Sequence, residues 1–150
     1  MDVTIRKIVI PVDFSPASEH AARYGCALAR RLHAHVYLIH VVEPSRTVSM
    51  DALSRECAEA RAALAALARL FDVAGRVITE VRVGAIADNI GKAVIAYGGD
   101  LVVMGTHGRT GFSHLIHGSV AEEVVRSVSS PVLVLRENGS VRIHEASVAA

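Results

Sequence analysis

The sequence predicts one α/β domain: a five-stranded parallel sheet with helices on both faces, in the order βαβαβαβαβ. Three observations carry this reading. Short runs such as Ile8-Val9-Ile10, Leu101-Val102-Val103-Met104 and Val132-Leu133-Val134-Leu135 are apolar without alternation, as strands buried on both faces are. Between them lie longer stretches whose apolar residues recur every three or four positions. And 150 residues, 51% hydrophobic and 21% charged, suffice to bury one real core but not two.

The first strand falls within Ile5 to Val12 and is closed by Pro11. Ser15 is placed to cap a helix that has Pro16 at its first position and carries Ala17, Ala21, Tyr24, Leu28 and Leu32 as far as about His33. His35 to Val42 reads as the second strand, ended by Glu43-Pro44-Ser45. Leu53, Cys57, Ala60, Leu64, Leu67 and Phe71 then step by four and three through a helix over about 48–71, which Gly75 stops. Val77 to Val83 alternates apolar and polar, which fits a strand near the sheet edge. A helix over about 85–97 shows Ile86, Ile90, Val94 and Ile95, and Asp100 opens the strand Leu101–Met104. A glycine-rich connection from Gly105 to Gly118 leads to a last helix with Val120, Val124, Val125 and Val128 on its apolar side. Pro131 starts the last strand. The domain thus occupies residues 1–136, and the tail 137–150 shows no pattern and is expected to be mobile.

Composition removes several classes of function. With a net charge of +1 and no basic stripe interleaved with aromatics, nucleic acid is not an expected partner. No apolar run approaches the ~18 residues of a membrane span, and the N-terminus lacks a signal-peptide core, so the cytoplasm is the expected location. Cys26 and Cys57 sit in helical patterns, where they read as small buried hydrophobes.

In parallel sheets ligands bind beyond the carboxyl ends of the strands. That rule selects 11–15, 41–45 and 105–119. In the third, Gly105, Gly108, Gly111 and Gly118 let the backbone turn tightly, approach a ligand and aim N–H groups at an anion. The following helix adds unpaired N–H groups and the positive end of its dipole, and Ser119 adds an N-cap hydroxyl. Such donors suit phosphate. Two familiar nucleotide motifs are missing. Gly84 to Gly91-Lys92 has the wrong spacing and Ala93 where a hydroxyl belongs, and the first strand turns without Gly-x-Gly-x-x-Gly.

The spacing Gly105-x2-Gly108-x9-Gly118-Ser119 resembles the ATP-binding signature of the universal stress protein family. Ile10-Pro11-Val12-Asp13-Phe14-Ser15, His40-Val41-Val42, Met104 to Arg109, Gly118 to Ala121 and Ser130 to Val134 resemble that family in order. The resemblance implies a Rossmann-like, adenine nucleotide alpha hydrolase-like fold that binds ATP, with Mg²⁺ as an accompanying ion. It implies that Pro11, Val12 and Asp13 line the adenosine pocket and that Val41 packs on adenine. Met104, Gly105, Gly108 and Arg109 would border ribose and phosphates, and Gly118, Ser119 and Val120 would complete the phosphate nest. His117 departs from the aliphatic residue expected there.

No residue is expected to be catalytic, and no metal site is expected in the protein itself. Asp13 lacks a second carboxylate to act with as a general base. His107, His114 and His117 fit solvated loop histidines, and His35 and His40 fall on opposite faces of one strand. The leading expectation is a regulatory module of the stress response with slow or no ATP hydrolysis, signalling through its bound state or an unidentified protein partner. The alternatives are a nucleotide hydrolase or nucleotidyl-transferring enzyme on the same fold, and an interaction module with an empty pocket. The apolar strand Val132–Leu135, guarded only by Arg136, is expected at a sheet edge, pairing with a second copy in a homodimer. The resemblance implies the same dimer.

Overall fold

Asp100 joins the starts of two strands. Its carboxylate accepts from the backbone N–H groups of Arg6 and Lys7 at 2.8 and 2.9 Å, which places β1 (Lys7–Pro11) beside β4 (Leu101–Thr106). The computed structural model describes residues 1–46, 48–71, 75–106, 119–137 and 141–144, with the side chains of 119 and 141–144 left out. The remaining elements are α1 (Pro16–Leu32), β2 (His35–Val42), α2 (Met50–Phe71), β3 (Val77–Val83), α3 (Ile86–Tyr97), α4 (Ser119–Ser127), β5 (Val132–Arg136) and β6 (Val141–His144). The sheet order is β3-β2-β1-β4-β5-β6, with the first five strands parallel as expected.

Strand parity divides the core into two layers. Ile8, Ile10, Val36, Leu38, Leu101 and Val103 face α1 and α2, where Ala22, Cys26, Leu64, Leu67 and Phe71 pack on them. Val9, Tyr37, Ile39, Val102 and Met104 face α3 and α4, against Ile90, Val94, Val124 and Val128. Both cysteines are buried thiols. β3 takes one sheet edge. Tyr97 stacks on Tyr37 with ring centroids 4.2 Å apart and donates its hydroxyl to Glu80, tying α3 to that edge.

The structure departs from the sequence reading in three places. β4 runs two residues further than expected, so Gly105 and Thr106 belong to the strand and pair with Leu135 and Arg136. The tail is not patternless: β6 pairs antiparallel with β5, from Val132↔His144 to Leu135↔Val141. That pairing corrects the expected homodimer through Val132–Leu135. The outer edge of β5, which a second copy would need, is taken by the chain's own β6. The physical reason is the one that suggested a partner, since Val132 to Leu135 are all buried and an open apolar edge is unfavourable.

Candidate functional site

β1 pairs with β2 as far as Pro11↔Ile39, but with β4 only through Ile8↔Leu101 and Val9↔Val102. Beyond Val9 the carboxyl ends of β1 and β4 diverge. This is the point in the strand order where connections leave in opposite directions, the place where open α/β sheets hold ligands. A cavity of about 220 Å³ opens there. Its lining includes Pro11, Val12, Asp13, Val41, Met104, Gly105 and Val120. Seven of the eleven residues expected from sequence therefore surround one cavity. Ser119 adjoins it as the first residue of α4, while Gly108, Arg109 and Gly118 lie outside the described residues, as do His107, His114 and His117.

Two of these residues also have a part in the packing behind the cavity. Val12 is 3% exposed, and its side chain belongs to the α1/α2 core with Ile8 and Ile10. Period-2 geometry thus turns it away from the cavity, so the face that it offers is backbone. Gly105 lines the cavity, yet its missing Cβ faces α1. A Cβ there would stand 2.4 Å from the carbonyl oxygen of Ala17 and 2.9 Å from the nitrogen of Ser18. The glycine lets the end of β4 meet the first turn of α1, whatever its part toward a ligand.

Sequence reasoning missed Ser18, Ile39, Ile86, Ile90, Thr106 and Ala121 in the lining. Ile39 lies two positions before Val41 on the same face, a signal that was available. Ile86 and Ile90 are the first apolar steps of α3 and read simply as core.

The turn from β1 into α1 is held by several hydrogen bonds. Val12 N–H donates to Ile39 O at 2.8 Å. The Asp13 N–H donates to Ser18 Oγ at 3.3 Å, and the Asp13 carboxylate accepts from the Ser15 N–H at 3.0 Å and from the Ser15 hydroxyl. Ser15 caps α1 as expected, its Oγ accepting from the Ser18 N–H at 3.2 Å. Phe14 takes φ 61° to make this turn, a conformation that few side-chain-bearing residues adopt. Among the described lining residues Asp13 is the one carboxylate. The described lining therefore offers apolar walls, two hydroxyls and one carboxylate. That donor set can seat a flat apolar ring and a hydroxylated group.

The sequence profile of the universal stress protein family matches residues 4–136. The chain belongs to the universal stress protein family. A universal stress protein of Methanocaldococcus jannaschii is 35% identical over 142 residues, covering 88% of this chain and 82% of that protein. Among solved structures, the universal stress protein UspA from Lactobacillus plantarum has a TM-score of 0.78 at 24% identity, covering 90% of this chain and 100% of that one. A universal stress protein solved in complex with cAMP has a TM-score of 0.70 at 20% identity, over 88% of this chain and 97% of that one. One from Archaeoglobus fulgidus in complex with dAMP has 0.66 at 18%, over 94% and 100%. These likenesses show the fold. No described helix is long and apolar enough to cross a membrane.

Proposed function

We propose that this universal stress protein is an adenine-nucleotide-binding regulatory module that takes ATP. The observation that carries the reading is the cavity at the diverging ends of β1 and β4, apolar on Pro11, Ile39, Val41, Ile86, Ile90 and Met104. Those walls suit adenine, Asp13 suits a ribose hydroxyl, and the start of α4 at Ser119 offers N–H groups and a positive dipole end to phosphates. Gly108, Arg109 and Gly118 complete the phosphate nest in this reading, on the strength of the family signature. Adenine nucleotides bound by two solved structures of the same fold, cAMP and dAMP, support the ligand class. Mg²⁺ would arrive on the phosphates, since a hard cation keeps several waters and needs few protein oxygens.

Regulation is favoured over catalysis by the lining itself. Asp13, the one carboxylate among the described lining residues, already accepts hydrogen bonds from Ser15 and so holds the turn. Hydrolysis is slow or nil in this reading, and the bound state acts in the cytoplasm. The experiment is mass spectrometry of the small molecule released on denaturing freshly purified protein, paired with a phosphate-release assay. An adenine nucleotide and turnover well below ~1 s⁻¹ are expected. Turnover at or above that rate would make the chain an enzyme instead.

A further inference from the structure

The turn that floors the cavity is braced from behind. His40 lies on β2 between Ile39 and Val41, which line the cavity. Its own parity, shared with Leu38 and Val42, turns it to the opposite layer. There its ring Nδ1 stands 2.6 Å from the carbonyl oxygen of Val12. A carbonyl oxygen only accepts, so Nδ1 carries the proton and donates. The same ring lies against Phe14, with centroids 4.7 Å apart and planes tilted by 36°.

We infer that His40 is a positioning residue for the nucleotide site: it fixes the turn Val12–Ser15 in its binding shape without touching ligand. The inference rests on the nucleotide-binding reading above. The other bonds described for this turn beyond Val12 N–H run within the turn or into the first turn of α1. They would travel with it if it moved as a unit. The His40 bond instead ties the last carbonyl before Asp13 to a different element, the sheet. It acts where a tie is needed, because the next residue but one, Phe14, sits at φ 61°. Backbone held in such a region persists only when its surroundings over-determine it. The ring contact holds the Phe14 side chain and the hydrogen bond holds the backbone two residues earlier, so one side chain restrains both ends of the strained step. Pro11, Asp13 and the Val12 backbone, which face the cavity, are placed by it.

The test compares isosteres in the full chain. His40→Asn keeps a donor on the carbon that bears Nδ1, whereas His40→Leu has nearly the same shape and no donor; both lack the ring, so its loss cancels between them. Titration calorimetry with ATP should show His40→Leu binding about tenfold more weakly than His40→Asn, because the binding-competent turn is less populated. Without nucleotide, amide hydrogen exchange at Asp13, Phe14 and Ser15 should be faster in His40→Leu than in His40→Asn, while core amides of β1 and β4 are unchanged. Exchange separates this inference from the nucleotide reading: a parent that binds no ATP sinks that reading, and the turn amides still judge His40. Should His40→Leu fail to fold, His40→Phe, which keeps a ring and lacks the donor, is compared with the parent, which has both. Equal exchange at the turn and equal ATP affinity in the donor and donor-less variants would overturn the inference.

Discussion

Replacing Gly105 by Ala adds one methyl group in the one direction where the fold has no room for it. The new Cβ would lie 2.4 Å from Ala17 O, 2.5 Å from Ala17 C and 2.9 Å from Ser18 N, where ordinary contact begins at 3.4 Å. The obstruction is backbone, so no rotamer change relieves it, and the first turn of α1 must retreat by roughly an ångström. Inserting a methylene into a packed site costs about 1–3 kcal/mol, and the upper end applies where backbone has to move. For a domain of this size each kcal/mol lowers Tm by about 2–4 °C, so at about 3 kcal/mol a fall of roughly 6–12 °C is expected. The displaced residues also serve the site, since Ser18 holds Asp13 N–H and Ser15 Oγ. ATP affinity should therefore fall together with stability. Differential scanning calorimetry and titration with ATP measure both. A variant within about 0.5 kcal/mol of the parent, the ordinary range for substitutions away from such features, with unchanged ATP affinity, would refute the close-approach account of Gly105.

Gly91→Ala is the counterpart: it lies inside α3, and among the described residues its Cβ would meet only Ser127 Oγ at 3.8 Å, so it should stabilise the protein by about 0.5–1 kcal/mol in urea denaturation. The pair Arg142→Pro and Ile143→Pro, made together, must remove one N–H that faces β5, because successive N–H groups in a strand alternate in direction. Light scattering at tens of micromolar should find a monomeric parent and a self-associating variant, and equal masses would contradict the role given to β6. Burial holds the Cys26 thiol up at about 11 against 9.0, with Arg30 opposing it, so the unfolded chain releases this proton first. Stability present below about pH 9 is then lost as pH rises toward 11. A Cys26→Ala variant should lose less over that interval, and parallel curves for the two proteins would exclude the contribution.

The strands were legible because burial on both faces leaves unbroken apolar runs, and the start of α1 was legible because Ser15-Pro16 carries its own cap chemistry. β6 was missed although Asn138-Gly139, a dipeptide typical of hairpins, stands between β5 and Val141-Arg142-Ile143. Its four residues are too few for a periodic signal. Gly105 shows a different limit. A glycine required for close packing and a glycine required for a loop are the same letter, and only the position of Ala17 across the turn separates them. The family resemblance puts Val12 in the pocket, while the parity set by Ile8 and Ile10 points its side chain into the other layer. Along the chain His40 pairs in the reading only with His35, and its partner Val12 is brought to it by the parallel pairing of β1 and β2.

In the proposed function the cavity between the ends of β1 and β4 recognises adenine by its apolar walls and an attached phosphate chain near α4. Competition calorimetry on nucleotide-free full chain, with ATP against GTP, measures this recognition. One ATP bound per chain is expected, with a preference over GTP of at least about tenfold, or about 1.4 kcal/mol. Absence of ATP binding at millimolar concentration would contradict the site, and equal affinity for GTP would contradict the adenine-reading walls.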